Sequence, residues 1–191
     1  MNDSTTRLNA RSVTRRSIAI PPHTELQVPF NPEAERSVLG SILLKPELAA
    51  DIIAFNLQPE DFYLAAHRHI YRRVLDIALT SRPIDIVSVA EELQNHQELD
   101  VIGGYAYLSD LVYLAVPERK HVLYHSAIVM TKAKLRGIQV VGERAQAAAG
   151  APGANPRQLG REVIGQIEII LTEKQSRATL PGERAAESSD D

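Results

Sequence analysis

The sequence predicts an all-α protein, a small multi-helix head followed by a long antiparallel helical hairpin. Three observations predict it. Apolar residues recur at spacings of three and four between turn signals. Prolines and capping residues stand at the edges of those segments. A proline-free stretch from Glu118 to Ala149 is followed by the reversal "GAPGANP" and a second periodic segment. With 191 residues and 44% hydrophobic content, the chain has enough material for one domain with a core, or one domain and an appendage.

Residues 1–22 read as a disordered basic tail, rich in Ser and Thr and carrying Arg7, Arg11, Arg15 and Arg16 against a lone Asp3. The head is expected over residues 23–117. In "NPEAERSVLGSILLKP", Asn31 is the N-cap and Pro32 sits at the first helical position, where its missing N–H costs nothing. Ala34, Val38, Leu39, Ile42 and Leu43 then share a stripe. A short helix follows over Glu47–Phe55. The turn residues Pro59, Glu60 and Asp61 precede a helix with Ala66, Ile70, Val74 and Ile77 at spacings of four, four and three. Asp85 caps "IVSVAEEL", and Gly103-Gly104 breaks the chain before "AYLSDLVYL".

The hairpin is expected over residues 118–174. Its first helix, of about 30 residues, would span about 45 Å. Tyr124, Ile128, Leu135 and Ile138 form its stripe, facing Leu159, Val163, Ile167 and Ile170 of a second helix capped at Asn155-Pro156. Those eight residues are the expected seam. The periodicity leaves open whether they close the hairpin within one chain or pair it with another. Gly137 and Gly142 within the first helix mark a bend or a close helix approach. Residues 175–191 are polar, end in acidic residues and read as a second disordered tail.

Chemistry-bearing residues do not converge. His67 and His69 look like a metal pair, but positions i and i+2 of a helix lie about 200° apart. His67 belongs with Ile70, Tyr71 and Val74 on the core side, and His69 outward with Arg72 and Arg73. His121 and His125 are spaced four apart, yet lack the glutamate of H-E-x-x-H and any third ligand. Glu60-Asp61 and Glu91-Glu92 diverge on a helix and read as caps or solvated faces. There is no Walker A loop and no G-x-S-x-G elbow. No catalytic residue, cofactor or metal is therefore expected. With no cysteine there is no disulfide or thiolate site, which fits a reducing cytoplasm. The longest apolar runs are far too short to span a membrane. A net charge of −3 argues against an overall basic nucleic-acid binder, so direct DNA binding, through the basic tail, is expected to be weak or absent.

Five collinear segments then carry a resemblance: "NPEAERSVLGSILL", "LQPEDFYLAAHRHIYRRVLDI", "PIDIVSVAEEL", "GGYAYLSDLVYLAVP" and "YHSAIVMTKAKLRGI". In this order and spacing the chain resembles the N-terminal domain of the bacterial replicative DNA helicase, the DnaB family, from about Pro21 to Leu171. The resemblance implies a helical head and hairpin that pair with other copies in a collar on a hexameric ring, with the hairpin region contacting primase. It implies self-association, primase and the replicative helicase as partners, and a role in DNA replication. The family's ATPase half would lie beyond Asp191, so the expectation is an interaction module with no motor of its own. The alternatives are a truncated or split helicase whose ATPase half is encoded elsewhere, and a small metal-dependent enzyme built on His121 and His125.

Overall fold

A computed structural model describes residues 27–80, 82–113 and 115–175. Of the expected tails over residues 1–22 and 175–191, only Gln175 is described, and it ends the last helix; the rest lie outside the described residues. Among the described residues all regular structure is helical: α1 Pro32–Leu44, α2 Leu48–Ala54, a 3-10 turn Pro59–Asp61, α3 Ala65–Leu79, α4 Ile86–Asn95, α5 Leu99–Ile102, α6 Gly104–Tyr113, α7 Arg119–Ala149 and α8 Pro156–Gln175.

The boundaries follow from local chemistry. Asn31 Oδ1 accepts from the Ala34 N–H at 2.8 Å, and Asp85 Oδ1 from the Ser88 N–H at 2.7 Å, each satisfying an amide that the first helical turn leaves orphaned. Asn155 does the same for α8, accepting from the N–H groups of Arg157 (3.0 Å) and Gln158 (3.2 Å). Gly103 ends α5 at φ 99° and Gly104 follows at φ 71°, a left-handed pair that side chains resist. Asp61, expected as a cap or solvated face, is a buried cap whose Oδ2 accepts from the Gln58 N–H at 3.0 Å.

The head core is one cluster. Val38, Leu39 and Ile42 of α1 meet Ile70, Val74 and Ile77 of α3, Val89 and Leu93 of α4, and Leu108 and Leu111 of α6, all of them buried. Fully burying each such side chain stabilises by about 1.5–3 kcal/mol. Phe62 and Tyr71 add an aromatic pair with centroids 5.1 Å apart.

Burial holds the Tyr71 phenol well above its ordinary pKa of 10.0, and the nearby Asp61 carboxylate adds to the effect. Its hydroxyl donates to the Leu57 carbonyl at 3.2 Å. A raised folded-state pKa means the folded protein holds this proton more tightly than the unfolded chain. The contribution is whole below pH 10 and is lost as pH rises beyond it. Urea unfolding repeated at increasing pH is expected to show stability falling above pH 10. Tyr71→Phe should flatten that fall while costing about 1 kcal/mol at neutral pH for the lost hydrogen bond. An alkaline limb of unchanged slope in the variant would assign the fall to other groups.

The buried polar groups are equally structured. His67, fully buried, is 2.7 Å from Glu35 Oε2 through Nδ1 and 2.7 Å from the Tyr107 hydroxyl through Nε2. Glu35 also accepts from the N–H groups of Tyr63 (2.7 Å) and Leu64 (3.3 Å). The histidine is thus on the core side, as its helix face implied. Its neighbour departs in part: Arg73, expected outward, is only 8% exposed, because Glu98 and Asp76 close over its guanidinium at 3.1 and 2.8 Å. His69 joins the same carboxylate, 2.8 Å from Glu98 Oε1.

Candidate interaction surface

Helix α7 runs about 46 Å, at about 1.5 Å per residue, and serves two structures in turn. Its first half packs on the head. Val122, Ser126, Val129, Met130 and Ala133, at helical spacing, are buried, and α7 meets α1 and α2 there. Its second half leaves the head and packs on α8, with Val141 buried. Gly137 allows the approach: a Cβ there would meet Ile170 Cδ1 at 3.1 Å, whereas Gly142 has open space.

Polar contacts lock the helix onto the head. Arg119 donates through Nε and Nη2 to both oxygens of Asp51, at 2.7 and 2.8 Å. This hydrogen-bonded pairing holds the Asp51 carboxyl below its ordinary value. The Ser41 hydroxyl donates to the Val116 carbonyl at 3.3 Å. Further along, Arg136 donates to the carbonyls of Pro29 (2.9 Å) and Asp61 (2.5 Å) and lies over the Tyr63 ring, 5.6 Å from its centroid. The incoming segment is thereby clamped across the junction of head and hairpin.

The eight expected seam residues are not one buried line. Tyr124 is 64% exposed and Leu135 42%. Ile128 is half-buried and packs on the head core. Ile138 is half-buried on α7, as are Leu159, Val163, Ile167 and Ile170 on α8, and Ile170 is the one that meets Gly137. As a seam within one chain the stripe fails at Tyr124 and Leu135. The face of α7 that the head covers is the one through Val122, Ser126 and Val129, because the head covers only one side of the helix. Around the remaining side Val140, Ile164, Ile169 and Leu171 are also exposed. The hairpin therefore presents more apolar surface than a two-helix unit covers by itself.

The two histidines of α7 have different neighbours. His121 Nδ1 lies 3.2 Å from Glu118, while His125 Nδ1 lies 2.7 Å from the Ser37 hydroxyl. Burial beside α1, and secondarily the His121 charge, lowers the His125 pKa. The two imidazoles thus have separate partners. Among the described residues no group of three or more His, Asp and Glu side chains could hold a metal ion, and no helix is long and apolar enough to cross a membrane.

A head of short helices clamped to a long hairpin is the architecture that known proteins share with this chain. The family described as the DnaB-like helicase N-terminal domain matches residues 27–131. The chain belongs to this family. DnaB of Geobacillus stearothermophilus, a replicative DNA helicase, is 44% identical over 109 residues, which are 56% of this chain and 23% of that helicase. DnaB of Mycobacterium leprae is 38% identical over 167 residues, 85% of this chain and 27% of the relative. The chain thus spans about a quarter of the length of the DnaB helicases it matches. Among solved structures, the N-terminal domain of DnaB from Mycobacterium tuberculosis aligns with TM-score 0.66 and 37% identity, over 74% of this chain and 98% of that domain. A DnaB-like replicative helicase studied with its interactions with primase aligns with TM-score 0.61 and 25% identity, over 80% of this chain and 36% of that one. The matched region is the DnaB N-terminal domain, which is not the ATPase motor. Sequence reasoning reached this family through collinear motifs. It missed the Arg136 clamp, whose acceptors are backbone carbonyls more than 70 positions away and carry no side-chain signal.

Proposed function

We propose that this chain acts in DNA replication as a DnaB-type collar domain, a protein–protein interaction module for helicase ring assembly and primase binding. The observation that carries the reading is the alignment over 98% of the Mycobacterium tuberculosis DnaB N-terminal domain. Its partners are further copies of itself, the replicative helicase and primase, in the cytoplasm, with direct DNA binding weak or absent. The hairpin is the contact surface, with Tyr124, Ile128, Leu135 and Ile138 on α7 and Leu159, Val163, Ile167 and Ile170 on α8 as the residues that take part in pairing. The apolar exposure of Tyr124 and Leu135 supports this, since a monomer leaves them in water.

Light scattering after size exclusion, on the chain alone and mixed with primase from the same source, tests the reading. A dimer or larger assembly that captures primase is expected. A monomer that ignores primase overturns it. Replacing Tyr124 and Leu135 together by Asp is expected to weaken self-association about tenfold or more, by placing charges in an apolar contact, with unchanged helicity by circular dichroism. Association that survives the double substitution would move the pairing surface off this face.

A second reading rests on the same family match: the chain works as the N-terminal part of a helicase together with a P-loop ATPase. ATP hydrolysis that requires both this chain and a separately encoded P-loop protein would support it. ATPase activity of the P-loop protein that is unchanged by adding the chain would remove it.

A further inference from the structure

One side of the head is without basic residues. Residues 83–118, which form α4, α5 and α6, hold seven Asp and Glu and no Lys or Arg. Side chains from outside this stretch reach some of the carboxylates: Arg82 pairs with Glu92, Arg73 with Glu98, and His121 lies beside Glu118. Asp100 on α5 and Asp110 on α6 are exposed and make no ion pair among the described residues. On α6, Tyr105, Ser109 and Tyr113 follow at every fourth residue and face water, opposite the buried Leu108 and Leu111. Tyr113 is 88% exposed, Tyr105 53%, and Val101 of the neighbouring α5 65%. The fold sets guanidinium groups on tyrosine rings at two other places: Arg36 lies 5.8 Å from the Tyr107 centroid and Arg136 5.6 Å from that of Tyr63. Tyr105 and Tyr113 have no such cation among the described residues.

We propose that this face holds the chain's own residues 7–16, with arginines on the Tyr105 and Tyr113 rings and on the Asp100 and Asp110 carboxylates. Residues 4–24 carry Arg7, Arg11, Arg15 and Arg16 and no Asp or Glu, the converse of residues 83–118. Complementary charge selects this side of the head. Residues 119–136 of α7, with five Lys and Arg and no carboxylate, repel the same segment. The segment is also long enough. Helix α6 lies against α1, the first helix of the chain: His67 links Glu35 to Tyr107, and Gly40 abuts Leu111. The eleven residue steps from Arg16 to Gln27 span up to about 36 Å when extended, farther than the roughly 22 Å of α3, the longest helix of the head. An acidic partner, nucleic acid included, is repelled at this face by Asp100 and Asp110. The inference concerns the head, whereas the collar reading concerns the hairpin, and neither depends on the other.

The test uses the full chain. It has no cysteine, so Ser12→Cys gives a single attachment point for a nitroxide spin label among the four arginines. At low salt the label is expected to broaden the Val101 methyl signals and the ring signals of Tyr105 and Tyr113, with loss of their intensity relative to the reduced label. Raising the salt to about 1 M, where the Debye length is about 3 Å, should restore them. Asp100→Asn combined with Asp110→Asn, at two exposed positions, should restore them at low salt, with helicity by circular dichroism unchanged. Replacing Arg7, Arg11, Arg15 and Arg16 together by Gln should do the same. Broadening that is absent from Val101, Tyr105 and Tyr113, or equally strong at the exposed Leu79 of α3 and Ile169 of α8, would overturn the proposal. Broadening that withstands both the Asp and the Arg substitutions would overturn it as well. In a mixture of spin-labelled chain with isotope-labelled chain that lacks the nitroxide, the signals should stay sharp. Equally strong broadening in that mixture would seat the segment on a second copy and overturn docking within one chain.

Discussion

Gly40→Ala is expected to destabilise the protein by about 3 kcal/mol, near the upper end for overpacked cores, and to lower its melting temperature by about 6–12 °C. Gly40 lies on α1 where it crosses α6. A Cβ there would overlap the Leu111 carbonyl oxygen, sit 2.8 Å from the Leu111 carbonyl carbon and 3.0 Å from Ala115 Cβ. Two of those three atoms are backbone, so relief requires the helices to separate and to open the buried contacts of Val38, Leu39 and Leu108 around them. The helix-propensity gain of about 1 kcal/mol from Gly to Ala is too small to offset this. Gly137→Ala is the matched control. Its Cβ meets only the far end of the Ile170 side chain, which can rotate away, and the propensity gain should leave the melting temperature within a few degrees of the parent. Thermal unfolding followed by circular dichroism reads both. A Gly40→Ala protein that melts like the parent would mean that α1 and α6 do not cross so closely.

Glu35→Ala should cost about 3 kcal/mol or more, since each buried donor left without an acceptor costs about 1–3 kcal/mol. The carboxylate accepts from His67 and from the Tyr63 and Leu64 amides, so its removal leaves three donors in the core without an acceptor and a void among them. Glu35→Gln keeps the volume and one acceptor oxygen, and its amide group can only donate toward a donor. It is expected to lose less than Glu35→Ala but more than about 1 kcal/mol. Urea unfolding ranks the three proteins. The ring nitrogen shifts of His67 provide a second readout, because Nδ1 lies 2.7 Å from Glu35 and Nε2 2.7 Å from the Tyr107 hydroxyl, so losing the carboxylate should move the Nδ1 signal most. Losses below 1 kcal/mol in both variants would show that the carboxylate does not organise this part of the core.

Both effects depend on contacts that join distant parts of the chain, and they mark the limit of what periodicity reveals. The stripe of α3 was legible because Ile70, Val74 and Ile77 face one core, and His67 followed from its place on the same face. Arg73 was not. Two residues beyond Tyr71 it falls on the boundary of that face, and a boundary arginine is buried or solvated according to whether carboxylates from another element cover it. Here Glu98, ahead of α5, closes over it.

The seam of α7 shows the same limit on a larger scale. A helix of 31 residues with apolar positions on more than one side has several possible stripes. Tyr124, Ile128, Leu135 and Ile138 satisfy helical spacing, and so do Val122, Ser126, Val129 and Ala133. The second set lies buried under the head, whereas of the first only Ile128 packs on the head core, and Tyr124 and Leu135 are exposed. Periodicity reports that a side of a helix is apolar, whereas the neighbour that covers it is set by how the helices cross.

By itself the sequence determined the helical class, the capped helix starts at Asn31, Asp85 and Asn155, the core stripes of α1 and α3, and the family, because each is written in residues close together or in their collinear order. Only the tertiary structure decided which face of α7 is covered, that Glu35 meets His67 across 32 positions, that Gly40 is a point of close approach between α1 and α6, and that an apolar groove runs between α7 and α8. Those are properties of segments brought together by packing, and their energies come from neighbours that local sequence does not specify.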